Sequence, residues 1–164
     1  MKTIIKYTTA WLVVILFVAN STTFAQGGKA NFSGTWAFNE SKSTPSQGGP
    51  RMAATSMTIT QDGNNLTVDR TSQGPDGEMK TTSKFTLDGK ECVNTIFGDN
   101  TRKSVVTWSA DGKALNFAHT MNFNGQEFKS TESWKINDDK TLAIETVFNG
   151  PNGEMKATNV YDKK

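Results

Sequence analysis

From residue 33 to residue 161, apolar and polar side chains alternate with period two, in short runs interrupted by Asp-Gly, Asn-Gly and Gly-Pro-x-Gly. Such alternation puts one face of an extended chain in a core and the other in water. No stretch repeats apolar residues at the i, i+3, i+4, i+7 spacing of a helix. The pattern predicts strands over 33–39, 56–61, 65–72, 78–87, 91–97, 102–109, 114–123, 126–136, 141–148 and 154–161, joined as antiparallel hairpins by tight turns. One connection is expected to be long, residues 41–55 (SKSTPSQGGPRMAAT), with two Pro, two Gly and no alternation.

A hairpin-sized repeat supports the meander. Gly74-Pro75-Asp76-Gly77-Glu78-Met79-Lys80 recurs as Gly150-Pro151-Asn152-Gly153-Glu154-Met155-Lys156. The repeating unit is a single hairpin without the long fixed period of a propeller or solenoid. Closing the meander removes exposed sheet edges. The fold class expected is therefore all-β, a single antiparallel meander β-barrel of about 8–10 strands.

Turn positions set the register. A two-residue turn at Asn124-Gly125 places Met121 opposite Phe128, His119 opposite Ser130, Phe117 opposite Glu132 and Leu115 opposite Trp134. A turn at Asp111-Gly112 places Trp108 opposite Leu115, Val106 opposite Phe117 and Ser104 opposite His119. Both sets share one apolar face. That face also carries polar residues: Arg70, Thr81, Ser83, Arg102, Ser104, His119, Ser130, Glu132, Thr146 and Asn159. Unpaired buried charge costs several kcal/mol, so a solid core would not repeatedly choose Arg, Glu and His. A cavity with apolar walls and polar groups aimed at water or a ligand accounts for the mixture; mutually paired structural ions are the simpler alternative.

Composition changes the picture at the N-terminus. Lys2 and Lys6 precede an apolar run over residues 10–19, and Thr23-Phe24-Ala25 follows before Gln26. This is the build of a secretory signal peptide, too short for the ~20 residues of a spanning helix. The expected division is a signal peptide over 1–25 and a barrel domain over 26–164, with export to the periplasm or the exterior. Taking Lys2 and Lys6 from the 18 basic residues leaves 16, equal to the 16 acidic ones. A neutral domain gives no support to a nucleic-acid partner or to polybasic membrane binding, and no stable membrane insertion is expected.

The single Cys92 makes no internal disulfide and reads as a small, half-buried strand residue. One His and one Cys do not form a usual zinc set, and no twelve-residue calcium loop occurs, so neither metal nor cofactor is expected. Ser104, His119, Ser130 and Glu132 invite a hydrolase reading, but no Ser sits on a strained elbow and no catalytic residue is assigned.

Asn31-Phe32-Ser33-Gly34-Thr35-Trp36-Ala37-Phe38 resembles the Gly-x-Trp opening of lipocalins and the Phe-x-Gly-Thr-Trp opening of fatty-acid-binding proteins. The domain looks most like secreted bacterial lipocalin-like proteins of the calycin superfamily. The resemblance implies a barrel floor at Trp36 with a backbone bend at Gly34, and a lid over residues 41–55. It departs where fatty-acid-binding proteins end in Arg-x-Tyr: this chain reads Asn159-Val160-Tyr161, without the Arg that takes a carboxylate.

The leading expectation is non-catalytic binding of a small hydrophobic or amphipathic molecule in the cavity. Trp36 and Phe38 form its floor, and Trp108, Phe117, Met121, Phe128 and Trp134 its wall. Arg70, Arg102, His119 and Glu132 orient polar groups, with Asn159 and Tyr161 on the last strand. Two rivals stand beside it. One is a packed scaffold whose loops bind a protein, as a protease inhibitor or envelope assembly factor; the other is cyclase or isomerase chemistry with Glu132 or His119 as acid or base.

Overall fold

The structure is a computed structural model that describes residues 28–45, 53–74, 77–123, 125–150 and 153–164. Ten strands follow one another: β1 (Gly34–Thr44), β2 (Ser56–Asp62), β3 (Asn65–Gly74), β4 (Gly77–Thr86), β5 (Glu91–Phe97), β6 (Asn100–Trp108), β7 (Ala114–Phe123), β8 (Gln126–Ile136), β9 (Leu142–Gly150) and β10 (Gly153–Lys163). They form one antiparallel sheet in the order β4-β3-β2-β1-β10-β9-β8-β7-β6-β5. Pairing of β1 with β10 curls the meander into a nearly closed barrel, leaving a seam between β4 and β5. Among the described residues no helix is long and apolar enough to cross a membrane.

The turn-derived register holds. Met121 pairs with Phe128, His119 with Ser130, Phe117 with Glu132 and Leu115 with Trp134; Trp108 pairs with Leu115, Val106 with Phe117 and Ser104 with His119. At Asp111-Gly112 the loop is longer than two residues, because Ser109 N–H donates to Ala114 O at 2.9 Å and Gly112 N–H to Ser109 O at 2.9 Å. The extra residues are symmetric about the turn, so the register is unchanged. The strand ends that flank the two repeats match: Gly74 pairs with Gly77 and Gly150 with Gly153, and Gly77 and Gly153 have φ of 116° and 108°.

β1 departs from expectation by running to Thr44, past a register shift after Asn39. Ser43 Oγ accepts from Val160 N–H at 2.9 Å and donates to Asn39 O at 2.6 Å, bridging the irregularity. A hydroxyl replaces a backbone partner here, which is why the polar run Asn39-Glu40-Ser41-Lys42 shows no strand pattern. The expected long loop thus loses residues 41–44 to a strand; its residues 46–52 lie outside the described residues, as do residues 1–27.

The lower half of the barrel, where β2–β3, β4–β5, β6–β7 and β8–β9 are connected, is solid. Phe32, Leu66, Val68, Val106, Leu115, Trp134 and Leu142 are 0% exposed. Phe32 plugs this end, its ring 6.1 Å from that of Trp108 and 6.4 Å from that of Trp134. Trp36 Nε1 donates to Phe32 O at 3.0 Å, and Gln61 holds the incoming strap through Phe32 N–H at 3.0 Å and Ala30 O at 3.2 Å. Gly34 has φ 144°, and a Cβ there would meet the Lys163 side chain at 2.8 Å, so a side chain is disfavoured on both counts.

Side chains stitch the seam. The Asn94 carboxamide accepts from Lys84 N–H at 2.7 Å and donates to Lys84 O at 3.0 Å, as a backbone partner on a neighbouring strand would. Thr86 N–H points to Cys92 Sγ at 3.2 Å. Because Asn94 is buried, Asn94→Ala leaves two backbone groups unmatched, and the expected loss is about 2 kcal/mol of unfolding free energy in urea. Hydrogen exchange should accelerate at Lys84 and stay unchanged at Leu115; equal acceleration at both would contradict a local seam.

Candidate functional site

Above the solid half, the inward rows turn polar. Ser104, His119 and Ser130 share one row across β6, β7 and β8, and Glu132, Thr146 and Ala157 another across β8, β9 and β10. Arg70 enters from β3 and Arg102 from β6, one inward step above Ser104. The side chains nearest the upper end are apolar again: Met121, Phe128, Phe148 and Met155. All of these upper apolar residues are half-buried although they face inward, whereas their lower counterparts are sealed. Exposure of the inward-facing side chains therefore rises toward the upper end of the barrel.

Glu132 is the hub of the polar belt. Its Oε2 accepts from Trp134 Nε1 at 2.8 Å and lies 3.8 Å from Arg70 Nη2, while Oε1 is 3.6 Å from His119 Nε2. The Arg70 guanidinium lies over the Trp134 ring, 5.5 Å from its centroid. Burial alone would raise the Glu132 carboxyl; the nearby His119 and the charges of Arg70 and Arg102 outweigh it and hold the group well below the usual carboxylate range. Burial lowers Arg102, partly opposed by Glu132 and reinforced by Arg70. Burial also pushes the Tyr161 phenol up to about 12.

Ser104 Oγ lies 2.8 Å from His119 Nδ1, so Ser104, His119 and Glu132 form a chain superficially like a hydrolytic triad. The chemistry does not follow. Ser104 is 1% exposed, out of reach of a substrate, and sits mid-strand between β5 and β7. A reacting carbonyl would need free N–H donors beside the nucleophile, and ladder pairing consumes those here. The chain orients the imidazole; it is a structural polar network.

The residues singled out from sequence separate by height. Arg70, Arg102, His119, Met121, Glu132 and Asn159 share the upper chamber. Phe117 and Trp134 are 2% and 0% exposed, their rings tilted against each other with centroids 4.7 Å apart, and they form the floor of the upper half. Tyr161 packs edge-on to Phe38 at 5.6 Å, below the belt. Trp108 lies at the far end with Lys29 5.2 Å from its ring, away from the chamber. Thr146, Phe148, Met155 and Ala157 join the chamber without having been assigned to the site. Their signal was the same inward parity on β9 and β10, which is clear once the Gly150-Gly153 turn fixes the register. Two shallow grooves lie on the outer wall, one around Val105, Ala118, Thr131 and Val147, the other around Thr67, Lys84 and Cys92. Among the described residues no group of three His, Cys, Asp or Glu is placed to hold a metal ion.

No protein family matches the sequence and no curated protein matches it. Among solved structures, zebrafish ileal bile acid-binding protein complexed with cholic acid superposes with a TM-score of 0.57 at 19% identity, over 81% of this chain and 98% of that one. The likeness shows the fold, a calycin-type meander barrel. It also runs against the expectation of export to the periplasm or the exterior, since the matched structure is a zebrafish ileal bile acid-binding protein and not a secreted bacterial lipocalin-like one. The periplasmic or extracellular destination is therefore not carried further, and the signal peptide expected over residues 1–25 lies outside the described residues.

Because Glu132 is the counter-charge of the inward-facing Arg70, Glu132→Gln strands that guanidinium and is expected to cost about 3 kcal/mol at neutral pH. The folded-state value of Glu132 lies below its ordinary 4.5. Its contribution is therefore complete above that value and is lost as pH falls through the acid range toward the folded value. Urea unfolding from pH 7 to pH 3 should show the gap between wild type and Glu132→Gln narrowing with acid; a constant gap would refute the linkage.

Proposed function

We propose that the protein binds, without catalysis, a small and partly apolar molecule in the upper half of its barrel. One observation supports this most directly: inward-facing Arg70 and Glu132 side chains are 17% and 15% exposed, at a depth where a solid barrel would seal them. Solvent-reached polar groups beneath an apolar mouth make an amphipathic chamber. The apolar part of the molecule contacts Met121, Phe128, Phe148 and Met155, whose rings include the stacked pair Phe128 and Phe148 at 5.9 Å. Its polar part meets Arg70, Arg102, His119, Glu132 and Asn159. Phe117 and Trp134 limit its depth, so the chamber takes a molecule about half the barrel's height. The fold likeness supports the reading to the extent that the matched protein is described as complexed with cholic acid.

The test is occlusion. Ala157 is half-buried, faces inward and pairs with Thr146, so Ala157→Trp fills the chamber without entering the lower core. Nile red, a neutral dye that fluoresces in apolar surroundings, should bind the wild type, and Ala157→Trp should weaken it by about tenfold or more while shifting the urea midpoint little. Ala118→Trp, on the outer wall, should leave binding unchanged. Dye binding that follows Ala118 and ignores Ala157 would move the site to the outside of the barrel.

A further inference from the structure

The apolar side chains at the two ends of the barrel differ in kind. The sealed half is filled mainly by rings and aliphatic chains, with one methionine, Met57, at 1% exposure. Near the upper end three inward side chains are methionines: Met79 on β4, Met121 on β7 and Met155 on β10. Met79 shares the face of the buried Ser83 and Phe85 and pairs with Ser72, Met121 pairs with Phe128, and Met155 with Phe148. In the sheet order β10 is the fourth strand from β4, and β7 the third from β10, so the three are spread around the rim. Two of them come from the repeated turn, as Glu78-Met79-Lys80 and Glu154-Met155-Lys156. In each copy Glu and Lys pair with one another on the outer face, at 3.2 and 2.9 Å, and the methionine between them turns inward.

These methionines are also the accessible ones. Met79 is 40% exposed, and Met121 and Met155 are half-buried. The Met79 sulfur occupies space that Gly74 leaves open on the same inward face, where a Cβ would meet Sδ at 3.1 Å and Cγ at 3.4 Å. We propose that Met79, Met121 and Met155 form an oxidation site that controls the chamber: a hydroperoxide converts them to sulfoxides, the mouth becomes polar, and the bound molecule is released. In the reaction the sulfur lone pair takes one oxygen from the peroxide as the O–O bond breaks. The sulfur is oxidised by two electrons, and the other oxygen leaves, protonated, as water or an alcohol. The new sulfoxide oxygen is a strong acceptor that an apolar ligand would cover without a partner, which disfavours binding. Phe128 and Phe148 at the same level carry no sulfur, so the sensitive positions are these three. The inference rests on the upper chamber being the binding site, and it assigns the regulation of that site.

Limited treatment with hydrogen peroxide, followed by peptide mass analysis, should add oxygen to Met79 first and then to Met121 and Met155. Met57 should stay reduced, in protein whose urea midpoint moves little. The Nile red affinity of the treated wild type should fall by about fivefold or more, as expected for covering an unpaired polar group. Methionine sulfoxide reductases acting on both sulfoxide epimers should restore it. In the triple variant Met79→Leu, Met121→Leu, Met155→Leu, whose swaps nearly conserve volume, peroxide should change the affinity by less than about twofold. Each protein is compared with itself before and after treatment, so the variant's own affinity does not enter. Met79→Leu alone should retain part of what the treated wild type loses, and it keeps the comparison available if the triple variant does not fold. Met79→Gln with Met155→Gln, which places polar groups near the sulfur positions without an oxidant, should weaken Nile red binding as peroxide does.

The outcomes are distinct. Oxidised Met79, Met121 and Met155 with unchanged Nile red affinity overturn the control and leave the chamber standing. An equal loss in the wild type and in the triple variant also overturns it and moves the sensitive group to another sulfur, such as the free Cys92. Oxidation of Met57 ahead of Met79 refutes the order of access. Failure of the folded, untreated wild type to bind Nile red overturns the chamber and this inference with it.

Discussion

One inward-facing, half-buried carboxylate organises this barrel. Glu132 stands where the sealed half meets the wet half, and it receives the Trp134 indole N–H, the Arg70 guanidinium and the electrostatic pull of His119 and Arg102. Each contact fixes something beyond itself. The bond to Trp134 orients the largest side chain of the chamber floor, and that ring in turn seats Arg70 on its face. A buried pair is a weak source of net stability, because desolvation offsets much of the attraction. What it supplies here is position: the belt has one arrangement in which its carboxylate is shared, and that arrangement leaves Arg102 free.

The belt also explains how a chain poor in aliphatic residues closes ten strands. Apolar filling is concentrated below it, in a core of Phe32, Trp36, Met57, Ile59, Leu66, Phe85, Leu115, Phe117, Trp134 and Leu142, where large rings fill volume efficiently. Above it, polar side chains take inward positions that apolar groups would otherwise have to fill. The two regions are tied to closure differently. β1 and β10 join through a backbone ladder with a Ser43 bridge, whereas β4 and β5 meet through the amide of Asn94 and the thiol of Cys92. The bonds of that seam lie at Lys84 and Thr86, toward the packed end, so the rigid half of the wall is also the better closed.

What the sequence revealed followed from period two. Once Asn124-Gly125 and Asp111-Gly112 are placed as turns, every inward residue of β6, β7 and β8 is determined, and the pairs Ser104 with His119 and Phe117 with Glu132 come out in register. Inward parity could not report height or partnership. Trp108 and Met121 share a face with Arg102, yet one lies at the plugged end and the other at the mouth. Nor could parity show that Arg70 on β3 reaches Glu132 on β8, since those strands are brought together only by curvature. β1 was legible to Asn39 and no further, because beyond the bulge its pairing runs through Ser43 and the alternation stops. Asn94 falls inside the strand expected over 91–97, and its replacement of a backbone partner is a property of two sheet edges meeting.

The same reasoning separates the polar network from catalysis. A Ser, a His and a Glu in hydrogen-bonding sequence attract a mechanistic reading, but a nucleophile must be reachable and must face donors for the charge it creates. Ser104 satisfies neither condition, being sealed at 1% exposure in the middle of a paired strand. Its hydroxyl instead fixes the imidazole plane from the Nδ1 side, which points Nε2 toward the belt. Burial that disables the serine as a nucleophile also holds the imidazole in one plane against the Ser104 hydroxyl, so the trio is a positioned polar network and not a catalytic one.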